Sequence, residues 1–248
     1  VGALNLPRRD KEGLPYLSYS QYTTWKKSKR DYMRQYFLGF RFKGNAYTEF
    51  GTKVGEALEN NDFSEFTNKE AKFLKTVPRY DVFEYEVKLP MDGFYILGYI
   101  DTLSQDNKKI ADYKTGSVAT KEAEYASEDY HQLHIYAGGI KHDFGKLPEQ
   151  ADVYLIDRKG NAFMNEDLVL GEEYKTVPKN IEQSEVDFVL AKVQKAAEEI
   201  SKYYTLYQKI CQDLKVKEVK HNNSGTPSTT DGSEEVRSRT GRRTTTKR

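Results

Sequence analysis

Two rhythms of apolar residues run along this chain, and the places where one gives way to the other mark its elements. From Ser184 to Leu214 the apolar positions Val186, Val189, Val193, Ala197, Ile200, Tyr204 and Tyr207 recur every three or four residues. That period predicts one long helix with a single face turned to a core. Leu17-Ser18-Tyr19-Ser20 predicts the start of another helix reaching about Phe37, with Ser18 or Ser20 as N-cap. Helices are also expected over about Glu49–Asn60 and Glu128–His142. Between them the rhythm shortens to two: Phe83–Leu89, Phe94–Leu103 and Lys109–Tyr113 read as successive strands. Met91-Asp92-Gly93 and Gln105-Asp106-Asn107 supply the turns. Joins this short predict an antiparallel meander. Ala151–Ile156 reads as a buried strand, and no internal repeat is visible.

This pattern describes one α/β body over residues 16–221, preceded by an extension, 1–15. After His221 the composition changes. Residues 222–248 are almost wholly Ser, Thr, Gly, Asn and charged, with Val236 the one large apolar side chain. Such a segment buries too little surface to offset its ordering entropy and is expected to be disordered. Its six basic and three acidic residues give it a charge of +3, so the rest of the 248-residue chain is near −2. Two readings stand: an electrostatic tether for nucleic acid, or merely a solvated, solubilising tail.

Composition narrows the function classes. The net charge of +1 offers no global attraction for nucleic acid, so any such argument must be local. No apolar run approaches eighteen residues, and the first fifteen carry Arg8, Arg9, Asp10, Lys11 and Glu12. Neither a membrane span nor a secretory signal is expected. Cys211 is the only cysteine, which excludes an intrachain disulfide and a four-cysteine zinc or iron–sulfur site within the chain. A cytoplasmic setting is expected.

The candidate chemistry lies in the meander. Gly98-Tyr99-Ile100-Asp101 ends one strand, and Asp112-Tyr113-Lys114-Thr115-Gly116 lies on the next. Asp112 and Lys114 are two apart and share a face, while Ala111 and Tyr113 turn to the other. Asp101 is placed to meet Asp112 across the sheet. Two close carboxylates repel unless a cation lies between them. Hard oxygen donors suit Mg²⁺ or Mn²⁺, with the backbone carbonyl of Tyr113 as a further donor. Such a metal polarises a phosphate and acidifies a bound water, while Lys114 holds the water or offsets developing charge. The bland reading of the same residues is a surface salt bridge. Gln132 and Tyr136, at i and i+4 on one helix face, add to the chemical reading.

Taken together, Gly98-Tyr99-Ile100-Asp101, Asp112-Tyr113-Lys114-Thr115-Gly116 and Gln132-x-x-x-Tyr136 resemble the PD-(D/E)XK nuclease superfamily, in its RecB-type exonuclease branch, which includes many phage-encoded members. Leu17-Ser18-Tyr19-Ser20 and Phe50-Gly51-Thr52-Lys53-Val54 extend the resemblance over roughly residues 17–160. It implies a restriction-endonuclease-like α/β core, a mixed central sheet flanked by helices. It implies Asp101 and Asp112 as metal ligands, Lys114 as the catalytic lysine, and Gln132 and Tyr136 as the motif that holds DNA and organises the site. The implied reaction is Mg²⁺- or Mn²⁺-dependent hydrolysis of DNA, at single strands or duplex ends. The setting would be recombination or repair, with phage or host recombination proteins as partners, in the host cytoplasm if phage-encoded.

The chain departs from that pattern twice. The branch carries a histidine ligand four residues after the glycine of the second helix; here Gly55 follows Gly51, and Glu56 or Glu59 is the available substitute. Relatives with an iron–sulfur cluster place its first cysteine where Ser28 stands, so no cluster is expected. A degenerate nuclease that only binds DNA or protein, and a structure-specific endonuclease, are the competing functions. His131 and His134, at i and i+3, are a weak zinc pair. Lys26, Lys27, Lys29, Arg30 and Arg34 alternate with Tyr22, Trp25, Tyr32 and Tyr36. That suits single-strand stacking, or equally an amphipathic helix with its aromatics turned inward.

Overall fold

The structure is a computed structural model that describes residues 2–40 and 44–214; the expected disordered tail lies outside them. Strand β1 (Tyr16–Ser18) runs directly into α1 (Tyr19–Lys27), because the Ser18 hydroxyl accepts the Gln21 N–H and caps the helix. The single helix expected to Phe37 is broken at Ser28. That residue is extended (φ −157°, ψ 100°), and its side chain caps a second short helix, α2 (Lys29–Tyr32), which passes into a π-helical turn, Met33–Phe37. Helix α3 (Ala46–Asn60) starts earlier than expected, since the Asn45 side chain accepts the Thr48 N–H. Helix α4 (Asn68–Leu74) begins with a capping box between Thr67 and Glu70. The meander follows as β2 (Val82–Met91), β3 (Phe94–Leu103) and β4 (Lys109–Gly116). Then come α5 (Val118–Ala126), α6 (Gln132–Phe144), β5 (Gln150–Lys159), a 3₁₀ turn (Ala162–Met164), β6 (Val169–Lys179) and α7 (Gln183–Asp213).

The six strands form one mixed sheet flanked by helices, the α/β architecture expected from the sequence. Its organising strand is β3. One side of β3 pairs with antiparallel β2 from Phe94 to Leu103, except at Asp101. The other side is shared: parallel β1 takes Tyr95–Leu97, and antiparallel β4 takes only Thr102 and Leu103, opposite Ala111 and Ile110. Beyond those two pairs β4 leaves β3 and stays with parallel β5, from Lys109↔Gln150 to Gly116↔Asp157. A fork therefore opens between residues 98–101 of β3 and 112–116 of β4. Antiparallel β6 lies beyond β5.

Each face of the sheet has its own core. On one, Ile96, Ile100, Leu103, Ile110 and Val153 pack against Trp25 and Tyr32, Leu133 and Ile135 of α6, and Val189, Val193 and Ile200 of α7. The long apolar stripe of α7 is thus core packing, with Tyr207 partly buried at its end. On the other face, Ala111, Tyr154 and Ile156 pack against Val54 and Leu58 of α3 and Leu74 of α4. Helix α6 lies very close to the sheet: a Cβ on Gly139 would sit 2.2 Å from Val87 Cγ1. The chain before β1 packs on this body, with Leu6 buried and the Asn5 amide donating to Ser201 Oγ. Among the described residues, no helix is long and apolar enough to cross a membrane.

Candidate active site

At the fork the sheet's ladder opens onto charged side chains at its centre. Asp112 is 1 % exposed, and both carboxylate oxygens are held. Lys114 Nζ lies 2.6 Å from Oδ2, the Tyr130 hydroxyl 3.0 Å from the same oxygen, and Gln132 Nε2 2.8 Å from Oδ1. The second amide proton of Gln132 goes to the Tyr136 hydroxyl, also at 2.8 Å. The Tyr130 hydroxyl lies 2.8 Å from Gln132 Oε1 as well, so one proton is shared between two acceptors. Both carboxylate oxygens of Asp112 are thus held from different sides, which fixes the carboxylate's orientation.

Asp101 stands on the other arm. Continuing the β3–β4 register sets it opposite Asp112, and its Oδ2 accepts the Tyr113 N–H at 2.6 Å. Burial, and after it the Asp112 carboxylate, pushes the Asp101 carboxyl above the usual carboxylate range. Lys114 is shifted up: burial opposes its charge, but the Asp112 and Asp101 carboxylates outweigh that and hold it above the ordinary lysine range. It is a charged ammonium, with 27 % of its side chain exposed to the fork. Tyr113 faces the other core, as the alternation requires, and its hydroxyl donates to the Pro78 carbonyl.

Glycines bring the helices near enough to complete the arrangement. A Cβ on Gly98 would meet Tyr136 Cε1 at 2.7 Å, so only glycine lets the ring lie against β3 with its hydroxyl toward Gln132. A Cβ on Gly51 would meet Thr115 Oγ1 at 3.3 Å, which sets α3 against the far end of β4.

The sequence-derived site residues divide cleanly. Asp101, Asp112, Lys114, Gln132 and Tyr136 converge on one network, with the Tyr113 backbone between the aspartates. Glu56 is not brought to it: it is exposed and lines a shallow concavity with Asn60, Asp62, Ser64 and Glu65. A Cβ on Gly55 would meet no atom within 4 Å. Among the described residues, no group of three or more His, Cys, Asp or Glu side chains gathers into a metal cluster. His131 Nδ1 is bonded to the Tyr22 hydroxyl and His134 Nε2 to the Asn180 carbonyl, at 3.0 Å each, and among the described residues no further His, Cys, Asp or Glu joins the pair to form a zinc site. The aromatics of the opening helices are core: Tyr22, Trp25, Tyr32 and Tyr36 are buried, and Lys26 and Lys29 pair with Asp129 and Glu199. Tyr130 was missed. It precedes the helix that carries Gln132, so helical spacing gives no hint of it; only its closeness in sequence to Gln132 does.

Asp101 and Asp112 fit a hard divalent cation: two facing carboxylates, one of them reluctant to ionise beside the other, lack only a positive charge between them. A bound Mg²⁺ or Mn²⁺ would be held by these carboxylates and by the Tyr113 carbonyl, and would polarise a phosphate oxygen and acidify a bound water.

Comparison with solved structures finds the same fold in a putative exonuclease from Eubacterium rectale (TM-score 0.52, 11% identity), covering 77% of this chain and 81% of that one. An alkaline exonuclease from Laribacter hongkongensis, LHK-Exo, is similar at a TM-score of 0.47 and 13% identity, over 80% of this chain and 94% of that one. No curated protein matches the sequence. The sequence model of the PD-(D/E)XK nuclease superfamily matches residues 62–219, which take in the fork, both of its aspartates, Lys114 and the helix that orients them. The chain belongs to that superfamily.

Proposed function

We propose that this protein is a Mg²⁺- or Mn²⁺-dependent deoxyribonuclease that hydrolyses phosphodiesters from DNA ends. The observation that supports this reading is the fork, where Asp101, Asp112 and Lys114 meet around one opening and Tyr130, Gln132 and Tyr136 lock the buried Asp112. A surface salt bridge needs no such enclosure.

The chain's own residues divide the work. The two aspartates supply negative oxygens for the cation. Lys114 supplies a compact positive charge next to the position a scissile phosphate would occupy, where it offsets charge developing on the phosphate oxygens. The flanking carboxylates favour the charged form of Lys114, which suits that role. Gln132 and Tyr136 keep Asp112 from rotating. Tyr130 does the same from the other oxygen.

The test is digestion of linear duplex and single-stranded DNA with Mn²⁺. The parent protein releases nucleotides, while Asp112→Asn and Lys114→Met lose at least about 10²-fold in kcat with unchanged circular dichroism. A covalently closed single-stranded circle should survive; its cleavage would replace end-dependent action with endonuclease action. The second reading, a fold that binds DNA without cutting it, is favoured by one observation, Gly55 at the helix position where the branch has a ligand. DNA retention without product in Mn²⁺ would select it.

A further inference from the structure

We infer that Glu84, on the edge strand behind the site, is a positioning residue: its left-handed backbone rotates the end of the β2–β3 ribbon so that Asp101 enters the fork. This rests on reading Asp101 as an active-site carboxylate, and the experiment below separates the two.

The argument starts from strand periodicity. On β2 the residues packed in or against the α6 core are Met91, Leu89, Val87 and Tyr85, at the spacing of two that a strand requires. The next should be Phe83; instead it is Val82. On β3 the residues facing α6 are Phe94, Ile96, Gly98 and Ile100. The next should be Thr102; instead it is Leu103. Thr102 has turned to the opposite face, where its Oγ1 accepts the Tyr80 N–H and it pairs with Ala111 of the second core. Both strands change phase at the same level of the sheet.

Nothing is inserted to cause this. Phe83↔Thr102 and Tyr85↔Ile100 hold one continuous register, and only the Glu84–Asp101 step between them is unpaired. A phase change without an extra residue requires a local half-rotation of the chain. Glu84 supplies it with φ +50°, the only positive φ within a strand among the described residues. The other side-chain-bearing residues with positive φ are all asparagines, Asn61, Asn107 and Asn165, the type that tolerates the left-handed region. A glutamate there is strained, and such strain persists where the surroundings impose it.

What the rotation achieves is the placement of Asp101. With unbroken alternation Asp101 would share the face of Tyr99, which is exposed and donates to Glu86 on the outer side of the ribbon. With the rotation it lies in the fork, opposite Asp112 and bonded to the Tyr113 N–H. Glu84 acts through Asp101, whose carboxyl its charge also helps to raise.

The experiment compares Glu84→Gly, Glu84→Gln and Glu84→Val with Asp101→Asn in the full chain. It reads Mn²⁺-dependent cleavage of linear DNA, Tm, and the hydrogen-exchange protection of the Tyr113 amide, which reports the Asp101 bond without reference to activity. Glycine adopts the left-handed backbone freely, so Glu84→Gly should keep cleavage within about twofold, keep Tyr113 protected and raise Tm by about 2 °C or more. Glu84→Gln keeps the backbone and removes a charge that adds to the rise of the Asp101 carboxyl, and should keep the Tyr113 amide protected. Valine is excluded from this region by its branched Cβ. Glu84→Val should lose Tyr113 protection and about 10²-fold in kcat with little change in KM for DNA. The inference is overturned if Glu84→Gly or Glu84→Gln loses protection, or if folded Glu84→Val retains it. Should Glu84→Val not fold, the glycine and glutamine variants still decide. Cleavage undiminished in Asp101→Asn would instead refute the active-site reading, leaving the Tyr113 result to judge the positioning role.

Discussion

Gly98→Ala tests whether the approach of α6 to β3 holds the site together. The added Cβ would lie 2.7 Å from Tyr136 Cε1, 3.5 Å from Cδ1 and 3.6 Å from Cζ. Carbon contacts are comfortable near 3.5–4.0 Å, so the ring edge must withdraw by roughly 0.8 Å or more. The ring is buried, and its hydroxyl accepts from Gln132 at 2.8 Å, a bond that a shift of that size breaks. Overpacking costs about 1–3 kcal/mol and the lost bond about 1 kcal/mol. Against this, alanine restricts the unfolded chain and contributes about 0.4–1 kcal/mol of stability, because Gly98 is not left-handed. The clash wins, and the net loss should be about 1–3 kcal/mol, seen as a Tm drop of about 2–12 °C. Urea unfolding followed by circular dichroism measures it. In a Tyr136→Leu background, where Cε1 is gone, the same Gly98→Ala change should cost at least about 1 kcal/mol less. If the alanine costs the same in both backgrounds, or nothing in either, the close packing of Tyr136 on Gly98 does not hold the site.

Two further outcomes follow from the same network. Tyr130→Phe removes the hydroxyl 3.0 Å from Asp112 Oδ2 and should lower stability by about 1.5–3 kcal/mol, as a bond to a charged group does; an unchanged urea midpoint would remove Tyr130 from the site. His131 is fully buried, and desolvation, with the nearby Lys26 and Lys192, lowers its folded pKa from 6.5 to about 4. Its neutral form is favoured by folding, so its contribution is complete above pH 6.5 and is lost as pH falls from 6.5 toward 4, by at most about 3 kcal/mol. The urea midpoint should therefore fall between pH 7 and pH 4.5, and fall less in His131→Phe; equal slopes in both proteins would contradict this.

How much could be read in advance depended on how local each feature is. The α7 stripe, the three meander strands and the buried β5 segment announce themselves because burial of one face repeats at a fixed spacing. Helix α5 has no buried residue and so leaves no stripe. Strand β6 carries Glu172, Glu173 and Lys175 at a sheet edge, and its polarity hides it. β1 is three residues long, too short for any period to show. Ser28 ended the opening helix through a side-chain bond to Asp31 that competes with helical continuation.

The sequence by itself determined which side chains are available and which of them share a face: Asp112 with Lys114 two residues on, Gln132 with Tyr136 one helical turn on, and Asp101 at the end of a strand that must return. Those relations are local, set by backbone periods of 2.0 and 3.6. Only the tertiary structure decided that β4 parts from β3 after two residue pairs, that the ribbon turns over at Glu84 and Asp101, that Tyr130 reaches Asp112 and that Glu56 stays outside. Each of these depends on contacts between segments far apart in the chain. There the packing of whole elements, and not the preference of any one residue, selects the conformation.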